Sequence, residues 1–317
     1  MVVLGAGTWT KGAMPGGAHP SPPTHPTFLY SPSGFGYNPV DRGCPRPAFQ
    51  IVSRALVPQP VLHVVVAAYN EANNVPRLLA DLHGLRAAVR EEFTARVVLV
   101  DDGSSDDTAR LARSLANGLP FEVLQHLENR GPGRAFATAF AHLAGSVCDD
   151  DWVVTMEGDN TSRVETLLHM LARRKEGYDV VLASAYSYGG GFIGTAWWRL
   201  ALSHAANELT LAVLRLYGLR TLSSFFRIHA GQALRRIQAV FGPQIVESDG
   251  FEWAVEMLYK MALLRMRLSE VETQVDWRRR VGASKMRTLR TIRGYFRVFL
   301  RHGRWRRQAE RHEARTP

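Results

Sequence analysis

The sequence predicts an α/β fold in which helices flank a mostly parallel, Rossmann-like sheet. Apolar runs of strand length alternate with segments of helical periodicity between residues 61 and 184. The runs are continuously apolar, as expected for strands that are covered on both faces. Polar residues follow four of these runs. We therefore expect one sheet with a polar edge at the carboxyl ends of its strands.

The chain divides into three predicted segments. Residues 1–58 are rich in proline and glycine, carry no repeated apolar pattern, and are expected to be disordered. Residues 59–285 form the predicted α/β domain, and residues 286–317 form a basic tail. The predicted strands are 61–68, 95–102, 121–127, 151–156 and 178–184. The predicted helices between them are 73–93, 104–118, 133–145 and 162–177.

Four predicted strands deliver polar residues to one edge of the sheet. These residues are Tyr69, Asn70 and Glu71, then Asp101 and Asp102, then Asn129 and Arg130, and finally Glu157 and Asp159. In sheets of this class ligands bind beyond the carboxyl ends of the strands. The sequence therefore predicts a binding site at this edge.

Glu157 and Asp159 flank a glycine directly after a buried strand, in the stretch VVTMEGDN. Two carboxylates so close together can bind one divalent cation, and Mg²⁺ and Mn²⁺ prefer such oxygen ligands. The alternative is a pair of solvated loop acids, with Asp159 or Thr161 capping the next helix. The polar residues at the other strand ends favour the metal.

Five segments resemble the family 2 glycosyltransferases with the GT-A fold, in order and in spacing. The segments are AAYNEANNV, VDDGSSDDT, NRGPGRAFATA, MEGDN and RRVGASK. The similarity extends over residues 61–285 and is greatest to the branch that contains dolichol-phosphate mannose synthase and bacterial polyprenyl-phosphate glycosyltransferases. The resemblance implies an inverting hexosyltransferase that moves a sugar from GDP-mannose or a UDP-hexose, with Mg²⁺ or Mn²⁺, to a polyprenyl phosphate.

The resemblance also implies roles for individual residues on the donor side. The nucleotide would be bound by Tyr69, Glu71, Asp101, Asp102, Asn129 and Gly131. Asn129, Gly131 and Gly133 would form a helix start that closely approaches its neighbours. Glu157 and Asp159 would hold the metal, and Arg279 and Lys285 would face the diphosphate or the acceptor phosphate. Asp159, Arg279 and Lys285 are thus the implied catalytic residues.

On the acceptor side the resemblance implies a phosphate site at Arg199, Ser203, Ser224 and Arg227. Ala185 stands where the polyprenyl-phosphate branch commonly has an arginine. A phosphate acceptor is already an anion near neutral pH and needs no protein base. A hydroxyl acceptor needs a carboxylate base, for which Asp249 and Glu252 are the candidates. A catalytically silent scaffold that binds nucleotide or membrane is the third hypothesis.

The tail carries most of the positive charge of the chain. Residues 278–317 hold 14 basic and two acidic residues, while the other residues hold 25 basic and 27 acidic ones. Met286, Leu289, Ile292, Phe296, Phe299 and Trp305 recur there at helical spacing among arginines. Such a helix is typical of an anionic membrane surface. The alternative is a helix that packs on the domain or presents a solvated face. No nucleic-acid motif accompanies the helix. We therefore expect a peripheral protein at the cytoplasmic face of a membrane and no nucleic-acid partner.

Overall fold

The computed structural model describes residues 58–195, 197–281 and 288–315. A seven-stranded sheet with the strand order β3-β2-β1-β4-β7-β5-β8 forms the centre of this part. Its strands are β1 (Val61–Ala68), β2 (Thr94–Asp101), β3 (Phe121–Gln125), β4 (Trp152–Glu157), β5 (Val180–Ser184), β7 (Arg227–Ala230) and β8 (Leu268–Glu272). A separate pair of short strands consists of β6 (Gly191–Ile193) and β9 (Gln274–Asp276).

Eight helices surround these strands in the described residues. They are α1 (Val75–Val89), α2 (Thr108–Leu115), α3 (Pro132–Leu143), α4 (Val164–Arg173), α5 (Trp197–Leu214), α6 (Gly231–Phe241), α7 (Trp253–Leu263) and α8 (Thr288–Glu313). Single 3₁₀ turns lie at Arg174–Glu176 and Trp277–Arg279. The α/β class and all five predicted strands are thus confirmed.

The apolar runs build the core as the sequence predicts. Val64, Val65 and Val66 of β1 are fully buried, because helices cover both faces of the parallel part of the sheet. Helix α1 begins with a proline in its first turn and buries Leu78 and Leu82 one turn apart. Full burial of one such leucine side chain stabilises the fold by about 1.5–3 kcal/mol.

Strand β7 is the part of the sheet that the sequence did not reveal. It has only four residues, Arg227–Ala230, and runs antiparallel to both β4 and β5. A run this short that contains an arginine and a histidine has no recognisable strand pattern. Tertiary pairing in the middle of the sheet therefore determines its conformation.

Helix α8 corrects the predicted orientation of the tail. Val298, Trp305 and Ala309 are buried against the domain, and α8 contacts α5, α6 and α7. Trp305, which the sequence assigned to the membrane-facing stripe, thus packs inward. Ile292 and Phe296 of the predicted stripe are exposed, and Leu300 joins them, with 48%, 62% and 84% of their surface exposed. Phe299 of the predicted stripe is half-buried. Among the described residues, no helix combines the length and the apolar character needed to cross a bilayer.

Some predictions fall on residues that the structure does not describe. Residues 1–57, most of the segment predicted to be disordered, lie outside the described part. Lys285 and the side chain of Arg199 also lie outside it, as do the side chains of Met286 and Leu289.

Candidate active site

The strand order creates a crevice at the carboxyl end of β1. Strand β1 pairs in parallel with β2 on one side and with β4 on the other. The register aligns Ala68 with Asp101 of β2, and Ala67 with Glu157 of β4. The segments after β1, β2 and β4 therefore leave the sheet side by side. Such a topological switch point is where open α/β sheets bind their ligands.

The turn from Glu157 to Asp159 packs directly against the end of β1. The Gly158 amide donates to the carbonyl oxygen of Ala67 at 2.9 Å. A Cβ atom at position 158 would lie 3.2 Å from the Cβ of Ala68, so a side chain would crowd the turn. The glycine thus lets the chain bring both acids to the end of the neighbouring strand.

Asp159 is buried, with 3% of its surface exposed, and its two oxygens have different partners. Oδ1 accepts hydrogen bonds from the amide and the hydroxyl of Thr161, at 3.1 and 2.7 Å. Oδ2 lies 3.5 Å from Nη1 of Arg280. Helix α4 has Arg163 at its N-cap position without a side-chain cap. The structure therefore contradicts the alternative in which Asp159 or Thr161 caps this helix.

The segment from Trp277 to Val281 folds back over these acids. Arg279 donates from Nε to the carbonyl oxygen of Asn160 at 3.1 Å, and its Nη2 lies 3.5 Å from Asp81. Arg280, which the sequence reasoning missed, lies beside Asp159 instead. Two consecutive arginines thus place positive charge at the crevice.

Asn74 connects three segments of the site and was also missed. Its side chain donates to the Glu71 carboxylate and to the carbonyl oxygen of Val281, and accepts from the Val281 amide at 3.1 Å. Its own carbonyl oxygen accepts from the Asn160 side chain at 3.0 Å. Glu71, which is 5% exposed, therefore holds the residue that docks the Arg279–Val281 segment.

Asp101 organises the loop after β2. It is fully buried and accepts hydrogen bonds from Ser104 and from Nε2 of Gln125, the latter at 2.9 Å. Ser104 in turn accepts from the Asn70 amide at 2.8 Å. This network places half-buried Tyr69, at the end of β1, beside the loop after β2.

Asp102 holds the segment that leads from β3 into α3. It accepts from the amides of Arg130 and Gly131 at 3.0 and 2.7 Å, and from the Asn129 side chain at 3.0 Å. Its Oδ1 also lies 2.7 Å from Nδ1 of His126. His126 was not predicted, because nothing in the sequence shows that it faces Asp102.

Gly131 and Gly133 allow a close contact between α3 and the loop before α7. A Cβ atom would lie 2.4 Å from the Asp249 carbonyl oxygen at position 131, and 2.1 Å from that of Ser248 at position 133. Gly131 also has a φ of 98°, which favours glycine. The predicted close approach thus exists, and its partner is the backbone of residues 248 and 249.

The two candidate bases have different environments. The Asp249 side chain is 51% exposed and forms an ion pair with Arg134. Glu252 is only 3% exposed, because Gly294 of α8 packs against its carboxylate. Burial raises the pKa of Glu252, and the charge of Asp249 acts in the same direction. Asp249 is thus the accessible one of the two.

The acceptor side of the site is more open. Ser203 on α5 is exposed, and its hydroxyl lies 2.7 Å from that of Tyr186, whose ring packs against Phe192 and His204. Burial raises the pKa of Tyr186, against the opposing effect of the Ser203 bond. Half-buried Ser224 lies near the end of β4, where the Phe225 carbonyl oxygen accepts from Thr155 at 2.6 Å.

Arg227 does not face this open side. It is fully buried and donates to the carbonyl oxygens of Leu222, Ser224 and Ala254 at 2.6–2.7 Å. Burial lowers the pKa of its guanidinium to about 9. Two of these bonds fix the turn before β7, and the third joins β7 to α7. We therefore correct the prediction and leave Arg227 out of the acceptor site.

The residues at the end of β4 fit a magnesium or manganese ion. Glu157 and Asp159 offer only oxygen atoms, which are the ligands that these ions prefer. No group of three or more histidine, cysteine or acidic residues suited to a metal occurs in the described part of the chain. Water or donor oxygens would therefore complete the coordination, as is usual for Mg²⁺.

Known proteins resemble this chain in sequence and in fold. Polyprenol monophosphomannose synthase of Mycolicibacterium smegmatis is 26% identical over 234 residues, which are 70% of this chain and 80% of that protein. Undecaprenyl-phosphate 4-deoxy-4-formamido-L-arabinose transferase of Klebsiella pneumoniae is 33% identical over 120 residues, which are 37% of this chain and 35% of that protein.

A solved structure shares the fold. Glucosyl-3-phosphoglycerate synthase from Mycobacterium tuberculosis, in complex with Mn²⁺, uridine diphosphate and glucosyl-3-phosphoglycerate, superimposes with a TM-score of 0.52 at 15% identity. The match covers 77% of this chain and 78% of that one. The family model "Glycosyl transferase family 2" matches residues 63–237, more than half of the chain. The protein is therefore an enzyme of glycosyl transferase family 2, with the GT-A fold.

Proposed function

We propose that this enzyme transfers a hexose from a nucleoside diphosphate to a polyprenyl phosphate, with inversion at the anomeric carbon. The buried Asp159 carboxylate at the switch point, with Arg280 against one of its oxygens, is the observation that carries the proposal. Two relatives named for polyprenol or undecaprenyl-phosphate substrates support the acceptor class. GDP-mannose and UDP-hexoses are the donors that we propose to test.

Residues on each side of the crevice have a proposed role in binding the nucleotide-sugar donor. Glu157 and Asp159 would hold Mg²⁺ or Mn²⁺, which as a Lewis acid would neutralise the leaving diphosphate. Arg279, Arg280 and Lys285 would add positive charge there. The nucleoside would lie over Tyr69 and the Asp101 loop. Glu71, Asp102, Asn129 and Gly131 would position the surrounding segments through the hydrogen bonds described above.

The acceptor would enter between α5 and the end of β5. Ser203 and Tyr186 present hydroxyl groups there, and Arg199 and Ser224 are the further phosphate contacts that we propose. Because the second ionisation of a phosphate monoester lies near pH 6, the acceptor is already an anion at neutral pH. The reaction then needs orientation and charge neutralisation rather than a protein base.

The exposed stripe of α8 would place the enzyme on the membrane that contains its acceptor. Ile292, Phe296 and Leu300 face away from the domain, and exposed Arg293 and Arg297 flank them. Apolar side chains surrounded by arginines favour the interface of an anionic bilayer. We propose peripheral binding at the cytoplasmic face.

The test is sugar transfer by the purified full-length protein. Labelled GDP-mannose or UDP-hexose is incubated with Mn²⁺ or Mg²⁺, with and without a short polyprenyl phosphate, and label is followed into the lipid phase. We expect label with one donor class, and a loss of at least about a hundredfold in Asp159→Ala. Glu165→Ala removes an acid whose side chain is 70% exposed, in the first turn of α4, and should retain activity.

Two other outcomes would change the assignment. Release of the nucleoside diphosphate with transfer of the labelled sugar to a saccharide or to water, without labelled lipid, would replace polyprenyl phosphate by a hydroxyl acceptor. No turnover with any donor, together with no binding of Mn²⁺ and nucleoside diphosphate, would support the silent scaffold.

A further inference from the structure

A basic groove lies between the ends of α6 and α8, apart from the residues of the catalytic site. Its volume is about 430 Å³. Ala239 and Val240 of α6 form one wall. The residues that line it from α8 onward are Arg304, Arg307, Gln308, Arg311, His312 and Arg315. The groove belongs to the basic tail but not to the exposed apolar stripe of α8, and no residue of the proposed reaction lies in it.

Three arginines of the groove lack acidic partners among the described residues. Arg304 forms an ion pair with Glu247, whereas Arg307, Arg311 and Arg315 form none. By contrast, Arg306 on the same helix forms an ion pair, in which its Nε lies 2.9 Å from Oε1 of Glu310. The sequence thus supplies acids to neighbouring arginines but not to these three.

The spacing of these arginines concentrates their charge. Positions 307, 311 and 315 are successive steps of four residues, so the side chains lie along one side of α8 and its C-terminal turn. Like charges at this spacing repel one another and destabilise a helix. An anion between them would remove that repulsion, and the guanidinium groups offer it several charge-assisted hydrogen bonds.

We propose that the groove binds a phosphate-bearing anion at Arg307, Arg311 and Arg315. Guanidinium groups match phosphate oxygens in geometry and charge. The walls add neutral surface from Ala239 and Val240, and Gln308 is already engaged, since its Nε2 donates to the Val240 carbonyl oxygen at 3.0 Å. The phosphate could come from a lipid headgroup or from a soluble phosphate compound, and the experiment separates these sources.

The experiment compares two triple variants of the full-length protein. Arg307→Gln, Arg311→Gln and Arg315→Gln together remove three charges from the groove. The control, Arg86→Gln, Arg90→Gln and Arg96→Gln, removes three exposed charges from α1 and β2. Arg304 is left intact, because its ion pair with Glu247 ties α8 to the loop before α7. Circular dichroism confirms that each variant is folded.

Binding is measured in two arms. One uses cosedimentation with vesicles of phosphatidylcholine, with and without phosphatidylglycerol. The other uses calorimetric titration with inorganic pyrophosphate in EDTA, which prevents metal-dependent binding at the catalytic site. Wild type and control are expected to bind alike, while the groove variant should bind the effective ligand at least roughly tenfold more weakly.

Each outcome decides the proposal. Weaker binding of the groove variant to anionic vesicles alone assigns a lipid headgroup, and weaker binding to pyrophosphate alone assigns a soluble phosphate. Loss in both arms assigns a phosphate site open to either source. Equal binding by the groove variant and the control in both arms overturns the proposal, and so does an equal loss in both variants.

Discussion

The proposed donor side and the proposed acceptor side of this enzyme are built differently. On the donor side Glu71, Asp101, Asp102 and Asp159 are each at most 5% exposed, and each has hydrogen bonds to the loops around it. On the acceptor side Ser203 is exposed, and Trp197 at the start of α5 is 80% exposed. The donor side is thus preorganised by the chain itself, whereas the acceptor side is open to a partner such as a lipid surface.

The largest effect on stability should come from the close contact behind the donor site. In Gly133→Ala the new Cβ would lie 2.1 Å from the Ser248 carbonyl oxygen, so α3 must move away from the loop. We expect the free energy of unfolding to fall by about 2–3 kcal/mol in urea denaturation. Gly84→Ala, in α1 with no atom within 4 Å of its new Cβ, should instead add about 0.5–1 kcal/mol. Equal effects would show that the contact between α3 and the loop does not matter.

Arg280 tests whether the charge opposite Asp159 belongs to the donor site. Arg280→Gln leaves the buried carboxylate without its cationic neighbour and removes charge near the proposed diphosphate. We expect kcat/KM for the donor to fall about tenfold to a hundredfold in the transfer assay. Arg278→Gln is the matched control, because Arg278 is exposed and its side chain bonds to Asp276 alone among the described residues. A similar loss in both variants would contradict a specific role for Arg280.

The sequence could predict the donor acids because a strand end fixes where they lie. Glu157 and Asp101 directly follow or end buried runs, so the strand order alone brings them to one edge. Arg280, Asn74 and His126 could not be found in this way, because their positions depend on how distant loops fold back. Ala185 in place of an arginine was visible in the sequence, but the hydroxyl contact between Tyr186 and Ser203 was not.

Distant packing also explains why the sequence assigned Arg227 to the acceptor phosphate and Trp305 to the membrane-facing stripe, both wrongly. The position of Arg227 in the sequence does not show whether its guanidinium binds a phosphate or donates to three buried carbonyl groups. Similarly, the apolar periodicity of α8 contains both an inward and an outward face. Only the packing of Val298 and Trp305 on the domain identifies Ile292, Phe296 and Leu300 as the outward one.

Substitution of one exposed leucine in α8 and one on the donor side tests which of these regions binds the membrane. Leu300 on α8 is 84% exposed, and Leu127 after β3 on the donor side is fully exposed. If α8 inserts its stripe into the bilayer interface, Leu300→Ser should weaken binding to anionic vesicles about tenfold, which is about 1.4 kcal/mol. Leu127→Ser should leave vesicle binding unchanged. Cosedimentation measures both, and equal changes would contradict docking through α8.

His229 on β7, in the core between the two regions, should make stability depend on pH. Neither ring nitrogen has a hydrogen-bond partner among the described residues, and burial, reinforced by the charge of Arg227, lowers the pKa of His229 to about 3. Below its usual pKa of 6.5 the unfolded chain binds a proton that the folded chain does not bind. Stability is therefore lost as pH falls through that value, by up to about 1.4 kcal/mol per pH unit.

His229→Leu provides the comparison for this pH dependence. The difference in unfolding free energy between wild type and variant, measured by urea denaturation from about pH 7.5 to about pH 5, should change in the variant's favour as pH falls. A difference that is independent of pH would show that His229 titrates normally in the folded protein.

The smallest expected effect distinguishes the two acceptor chemistries. Asp249 is the more exposed of the two candidate bases, and its ion pair with Arg134 is partly exposed, so Asp249→Asn should cost little stability. If the nucleophile is a phosphate that is already ionised, transfer to polyprenyl phosphate should change less than about threefold, because no proton has to be removed. General bases contribute about 10²- to 10⁴-fold, so a loss of that size at unchanged donor affinity would identify Asp249 as a base. The acceptor would then be a hydroxyl group, and the open acceptor side would bind a saccharide or a small molecule rather than a lipid phosphate.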